Sequence, residues 1–188
     1  MRKWVVVGSR PLLDRPPWLT VWEEDVLLPG GQLIRGYLRC RTREYAMVFA
    51  LLEDGTVPLV RQYKHGKGLD CYDLPAGCLD GADETPLAAA RRELREETGV
   101  TSADWSPLGS LVLDSNRGDS RVHLFLALNA RRDGRQELDA TEELEVSYHT
   151  PADLSRMVLS GQIDGVASVA GIMTALRVLD VRGKSGAS

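Results

Sequence analysis

Over the first 45 positions apolar and polar residues alternate in short blocks, and turn residues cut the blocks apart. Arg15, Pro16 and Pro17 make one break and Pro29, Gly30 and Gly31 another, because proline removes a backbone donor and glycine opens positive φ. Between them, residues 18–28 mix aromatics, Val and Thr with charges, the pattern of a half-exposed strand, and 32–40 read the same way. These segments hold too few large apolar residues for a core of their own, so they are expected to pack on the rest of the chain or on a second copy. Further along the periodicity sharpens. Residues 47–52 are an apolar strand, Glu53, Asp54, Gly55 and Thr56 a hairpin turn, and 57–63 the returning strand. From 83 to 98, Leu87, Ala90, Leu94 and Thr98 recur at helical spacing, and Gly99 supplies a stop. Strands are expected at 108–113, 122–128 and 144–149. Thr150 and Pro151 then open a short helix that Gly161 ends. From Asp164 onward, Val166, Val169, Met173, Leu176 and Leu179 predict a final, mostly buried helix. Many strands with few helices predict an α+β fold, an α/β/α sandwich being the expected form.

Bulk properties narrow the function more than the fold. A chain of 188 residues suits one domain with a small appendage. Its net charge of −4 argues against gripping nucleic acid through phosphates alone, so any phosphate must be met locally or through a metal cation. Cys40, Cys71 and Cys78 are odd in number and show no CxxC spacing, which points to a reducing cytosol and away from disulfides or zinc. Trp4, Val5, Val6 and Val7 are too short an apolar run for a signal peptide, and no segment suits a membrane span.

The informative stretch is Arg91-Arg92-Glu93-Leu94-Arg95-Glu96-Glu97-Thr98-Gly99. On a helix Glu93, Glu96 and Glu97 fall within roughly 100° of arc, while Leu87, Ala90 and Leu94 turn to a neighbouring face. Carboxylates so crowded repel one another unless a cation intervenes, and oxygen-only donors suit magnesium or manganese. The plainer reading is a solvated face on which Arg91, Arg92 and Arg95 pair with the glutamates. What precedes the helix weighs against it: Leu74, Pro75, Ala76 and Gly77 form a tight turn that can set a backbone carbonyl beside the carboxylates.

Here the chain resembles the Nudix hydrolases, whose box reads G-x5-E-x7-R-E-U-x-E-E-x-G-U with U a bulky aliphatic residue. Glu84, seven intervening residues and then Arg92 to Val100 keep that frame without a gap. Gly77, however, is separated from Glu84 by six intervening residues instead of five, so the loop is one residue longer. Val60 to Gly66, Leu74 to Gly77 and Gly161 to Ser168 are similar to the ADP-ribose pyrophosphatase branch. The resemblance implies a Nudix α/β/α sandwich with a mixed sheet over 46–182, and a small N-terminal antiparallel sheet over 1–45 that forms a homodimer. A flexible tail is expected at 183–188.

The resemblance also implies roles. Glu93, Glu96 and Glu97 would hold Mg2+ or Mn2+ with the Ala76 carbonyl, Arg92 would fix a glutamate, and Glu84 would steady the loop. In the acidic stretch 138–145, Glu142 is the first choice as a further metal ligand or base, with Asp139 and Glu143 behind it; a solvated loop is the competing view. Strand alternation puts Gln62 and Lys64 on one face, where Lys64 could meet a phosphate. Trp18, Trp22 and Tyr37 could stack on a base, although such rings more often fill core gaps. His65 and Cys78 read as structural. Residues 114–121 form a polar loop unlike the one usual in that branch. The implied activity is cleavage of ADP-ribose to AMP and ribose 5-phosphate by a cytoplasmic enzyme. Other nucleotide sugars, dinucleotides, a non-catalytic nucleotide-binding module and RNA-end trimming stand as alternatives.

Overall fold

The structure is a computed structural model that describes residues 2–81 and 83–185. The chain divides into two compact units, residues 1–44 with 112–121, and 45–111 with 122–188.

The first unit is a meander of three antiparallel strands, β1 (Val5–Arg15), β2 (Leu19–Leu27) and β3 (Leu33–Thr42). Gly31, at φ 86°, makes the turn into β3 in a conformation a side chain would oppose. The polar loop at 114–121 folds back onto β3. Cys40 donates its N–H to the Arg117 carbonyl at 2.7 Å, and a Cβ on Gly118 would lie 2.3 Å from the Cys40 carbonyl oxygen. β1 reaches back to Val5, which the valine run alone did not reveal.

The second unit holds the core. β4 (Tyr45–Leu52) pairs in parallel with β10 (Arg121–Arg132) and antiparallel with β7 (Ala76–Cys78). β8 (Val100–Thr101) and β9 (Asp104–Val112) add to β10. A second sheet joins β5 (Val57–Lys64) to β6 (Leu69–Asp73) and β11 (Leu144–His149). β4 is buried on both faces, as a parallel central strand must be. Its odd positions Met47 and Phe49 meet Leu154 and Met157 of α2 (Pro151–Leu159) and Ile172 and Ala175 of α3 (Val166–Ser185). Its even positions Ala46, Val48 and Ala50 meet Ala89, Ala90 and Leu94 of α1 (Pro86–Thr98). Helices therefore cover both faces of the mixed sheet, and the expected α+β sandwich with a separate small antiparallel sheet is the fold of this chain.

Several expectations need correction. The turn at 53–56 forms, with Gly55 at φ 79° and Asp54 accepting from the Thr56 amide at 3.0 Å, but the strands it joins part into different sheets. The tight turn read at 74–77 is the entry to β7, because Met47 and Tyr45 pair with Ala76 and Cys78. α1 starts at Pro86, not at 83, since Thr85 takes the cap and accepts the Ala88 amide at 3.2 Å. In α3, Val166 and Met173 are exposed and the buried seam runs through Ser168, Ile172 and Ala175. Of the tail expected at 183–188, residues 183–185 continue α3, and 186–188 lie outside the described residues. No helix among the described residues is long and apolar enough to cross a membrane.

Candidate active site

The site is built where α1 lies against β7. Thr85 and Pro86 start the helix, and Gly99, left-handed at φ 66°, ends it. A Cβ on Gly99 would lie 2.6 Å from the Gly134 carbonyl oxygen, so glycine serves both the cap and a close approach. Between these ends Leu94 is fully buried, and Glu93 and Glu97 are buried with it at 9% and 4% exposure.

Two buried carboxylates on one helix face need compensation. Glu97 receives the Ala76 N–H at 2.9 Å, tying it to the strand that carries the Ala76 carbonyl. That single bond is insufficient. Burial, then the nearby charges of Glu93 and Glu142, push the Glu97 carboxyl up to about 8, against the Ala76 N–H and the Lys64 charge acting in the other direction. Burial raises Glu93 as well, against the pull of Arg92.

Arg92 organises the remaining acids. Its Nε donates to Glu84 Oε1 at 3.0 Å, one terminal nitrogen to Glu93 Oε1 at 2.6 Å and Glu96 Oε2 at 3.2 Å, and the other to the Cys78 carbonyl at 3.0 Å. Glu84 in turn accepts the Asp80 amide at 2.6 Å, so it closes the loop it was expected to steady. The loop is one residue longer than the family frame, yet Gly77 keeps a specific place in it. A Cβ there would lie 1.9 Å from Glu93 Oε1. Gly77→Ala is therefore expected to displace Glu93 or β7, costing about 1–3 kcal/mol of stability. Chemical denaturation should show that loss, and an unchanged midpoint would mean that the loop relaxes freely.

Sequence reasoning missed the anchorage of the acidic loop. The Gln136 side-chain amide donates to the Glu97 carbonyl at 2.9 Å, the Glu137 N–H to the Glu96 carbonyl at 2.8 Å, and Arg95 pairs with Glu137 at 2.7 Å. These bonds use carbonyls left over at the end of α1, a signal no spacing rule exposes. Beyond them, Glu142 is exposed and accepts the Asp139 N–H at 3.2 Å.

Lys64 is half-buried, 3.8 Å from Asp73, and acts electrostatically on Glu97. Gln62 shares its strand, opposite Leu144 and Cys71. Trp22 and Tyr37 belong to the other unit and make their contacts there. The Arg41 guanidinium lies 5.7 Å from the Trp22 ring centre, and the Tyr37 hydroxyl donates to the Asn116 carbonyl while its ring packs edge-on against Trp4. Trp18 sits beside the Arg43 guanidinium. The His65 ring lies near that of Tyr63.

Among the described residues no three His, Cys, Asp or Glu side chains already stand together at metal-holding distance, and Glu93 and Glu96 each accept a hydrogen bond from Arg92. The donor chemistry nonetheless fits a hard divalent cation: every candidate donor is oxygen, and two are buried carboxylates whose charged form the protein disfavours.

A domain model described as NUDIX domain matches residues 41–166, and the chain belongs to the Nudix family, an enzyme of its pyrophosphohydrolase type. It is 34% identical over 151 residues to an ADP-ribose pyrophosphatase of Mycobacterium tuberculosis, spanning 80% of this chain and 72% of that one. With an ADP-ribose pyrophosphatase of Bacillus subtilis it shares 30% identity over 146 residues, 77% of this chain and 78% of that one. A crystal structure of an ADP compounds hydrolase has the same fold, with a TM-score of 0.85 over 97% of both chains at 22% identity.

Proposed function

We propose that this enzyme hydrolyses the pyrophosphate bond of a nucleoside diphosphate joined to a second group, ADP-ribose first, yielding AMP and ribose 5-phosphate. The observation that carries the reading is three carboxylates on one end of α1, Glu93 and Glu96 bonded to Arg92 and the buried Glu97 bonded to the Ala76 N–H. Such a set repels an anionic substrate by itself and favours a divalent cation, with Mg2+ our choice and Mn2+ a substitute. When bound, that cation neutralises charge on the phosphates and lowers the pKa of a water. Glu93, Glu96, Glu97 and the Ala76 carbonyl would hold it, and Glu142 joins them as ligand or base.

The chain's own residues supply the rest. Arg92 orients Glu93 and Glu96 through charge-assisted bonds, and Lys64 with Gln62 would meet the phosphates from β5. Trp22 and Tyr37 are proposed as stacking surfaces for a base. The test is a panel of ADP-ribose, UDP-glucose, GDP-mannose and NADH with Mg2+, reading nucleoside monophosphate release. AMP formed fastest from ADP-ribose is the expected result; no product from any of them would end the enzymatic reading.

We further propose a homodimer built on residues 1–45, in a reducing cytosol. Trp4, Val5, Val6, Val7, Leu12 and Trp18 are all exposed on the first unit, apolar surface that a second copy would cover. Light scattering should give twice the 20.7 kDa chain mass, and a single-chain mass at micromolar concentration would refute it.

A further inference from the structure

Ser168 is a polar residue with no exposed surface, on the first turn of α3. On the first turn no carbonyl of the helix precedes it, and its hydroxyl reaches outward: its Oγ donates to Asp73 Oδ1 at 2.7 Å and accepts the Leu74 N–H at 3.3 Å. Gly165 belongs to the same arrangement, since a Cβ there would stand only 3.0 Å from Asp73 Oδ1. The end of β6 is thus clamped to the start of α3 through one carboxylate. The other oxygen of that carboxylate, Oδ2, lies 3.8 Å from Lys64 Nζ, and the Lys64 charge acts on Glu97.

Ser168, Asp73 and Lys64 thus form a chain of contacts from α3 to β5. We infer that Ser168 and Asp73 are a positioning pair that fixes the Lys64 ammonium for the phosphates of the substrate. The inference rests on the reading of Lys64 as a phosphate contact. A lysine alone is a flexible four-carbon stem with a strongly hydrated charge, so binding an anion costs it rotamer freedom. A carboxylate locked by a buried hydroxyl removes part of that cost before substrate arrives. The separation of 3.8 Å is long for a charge-assisted hydrogen bond, which keeps the ammonium in place without committing its donors.

The test compares Ser168→Ala and Asp73→Asn with the parent, as full chains with Mg2+ and ADP-ribose. Losing a hydrogen bond that orients a charged group should raise KM on the order of 10-fold while kcat changes by less than about 2-fold. A merely structural serine would lower melting temperature and active fraction but leave the KM of the folded enzyme alone. The second readout needs no turnover. The chain's lysines are Lys3, Lys64, Lys67 and Lys184, so reductive 13C-methylation gives few resonances to assign by NMR. The Lys64 signal should move in both variants and the Lys3 and Lys184 signals in neither. Unchanged KM in both, or a Lys64 signal that stays put, overturns the inference. If Ser168→Ala does not fold, Asp73→Asn decides alone, because it keeps the shape and removes the charge. If the parent itself releases no AMP, the substrate reading has failed, and the Lys64 signal still decides the positioning claim.

Discussion

Glu97→Gln is expected to slow ADP-ribose hydrolysis by on the order of 10³-fold, while the variant unfolds no earlier than the parent. Glutamine keeps the oxygen that accepts the Ala76 N–H and removes only the charge. That charge is costly in the absence of a cation, since Glu97 is buried and faces Glu93 and Glu142. Stability should therefore hold or rise above neutral pH even as activity collapses. Product release and a thermal melt on the same preparation check both halves. Near-parental activity would remove Glu97 from the metal set, and a lower melting temperature would contradict its burial cost.

The second large effect is a pH-dependent gain in stability with Mg2+. The folded chain keeps the Glu97 proton up to about 8, whereas the unfolded chain releases it in the usual carboxylate range. Between those limits the folded state binds more protons than the unfolded one, so this group lowers stability as pH rises, with the full cost reached above about 8. Glu93 is shifted the same way. A divalent cation takes the charged carboxylates, so its apparent affinity should climb with pH and level off above about 8, with protons released below that point. At a hundredfold excess over its Kd the ion adds about 2.7 kcal/mol, roughly 5–10 °C in a chain of this size. The melting increment should shrink steadily toward pH 6, and buffers of different ionisation heat should report proton release calorimetrically. An increment independent of pH would mean that Glu97 is not where the ion binds.

The helix and its carboxylates were legible because helical spacing and a glycine stop agree up to Gly99, although spacing alone sets the start at 83 and misses the Thr85 cap. The sandwich followed from the apolar runs of β4 and β5, but their separation into two sheets did not. A tight turn reports that two strands are adjacent in the chain and says nothing of which neighbours win their edges; β10 takes one edge of β4 and β7 the other. Arg92 was legible as a partner for one glutamate, whereas its span over Glu84, Glu93, Glu96 and the Cys78 carbonyl depends on where β7 runs. Gln136 and Asp73 carried no signal and Ser168 none beyond closing the stretch Gly161 to Ser168, since each bonds a group far away in sequence. Of the apolar positions read for α3, Val169, Leu176 and Leu179 pack against the core, whereas Val166 and Met173 face water and the small Ser168 and Ala175 join Ile172 in the buried seam.

Those small residues have a counterpart on the other face. Ala89 and Ala90 of α1 rest on Ala46, Val48 and Ala50 of β4, all without exposed surface. Alanine against alanine sets the distance between helix and sheet near its minimum, and Glu93 and Glu97 ride on that helix. The methyl groups behind α1 therefore work as a shim: their thickness calibrates how far the carboxylates stand from the Ala76 strand. Drift at these inconspicuous positions would detune the chemistry without altering a single residue that performs it, which makes them a place where related enzymes can diverge in rate while keeping the same box.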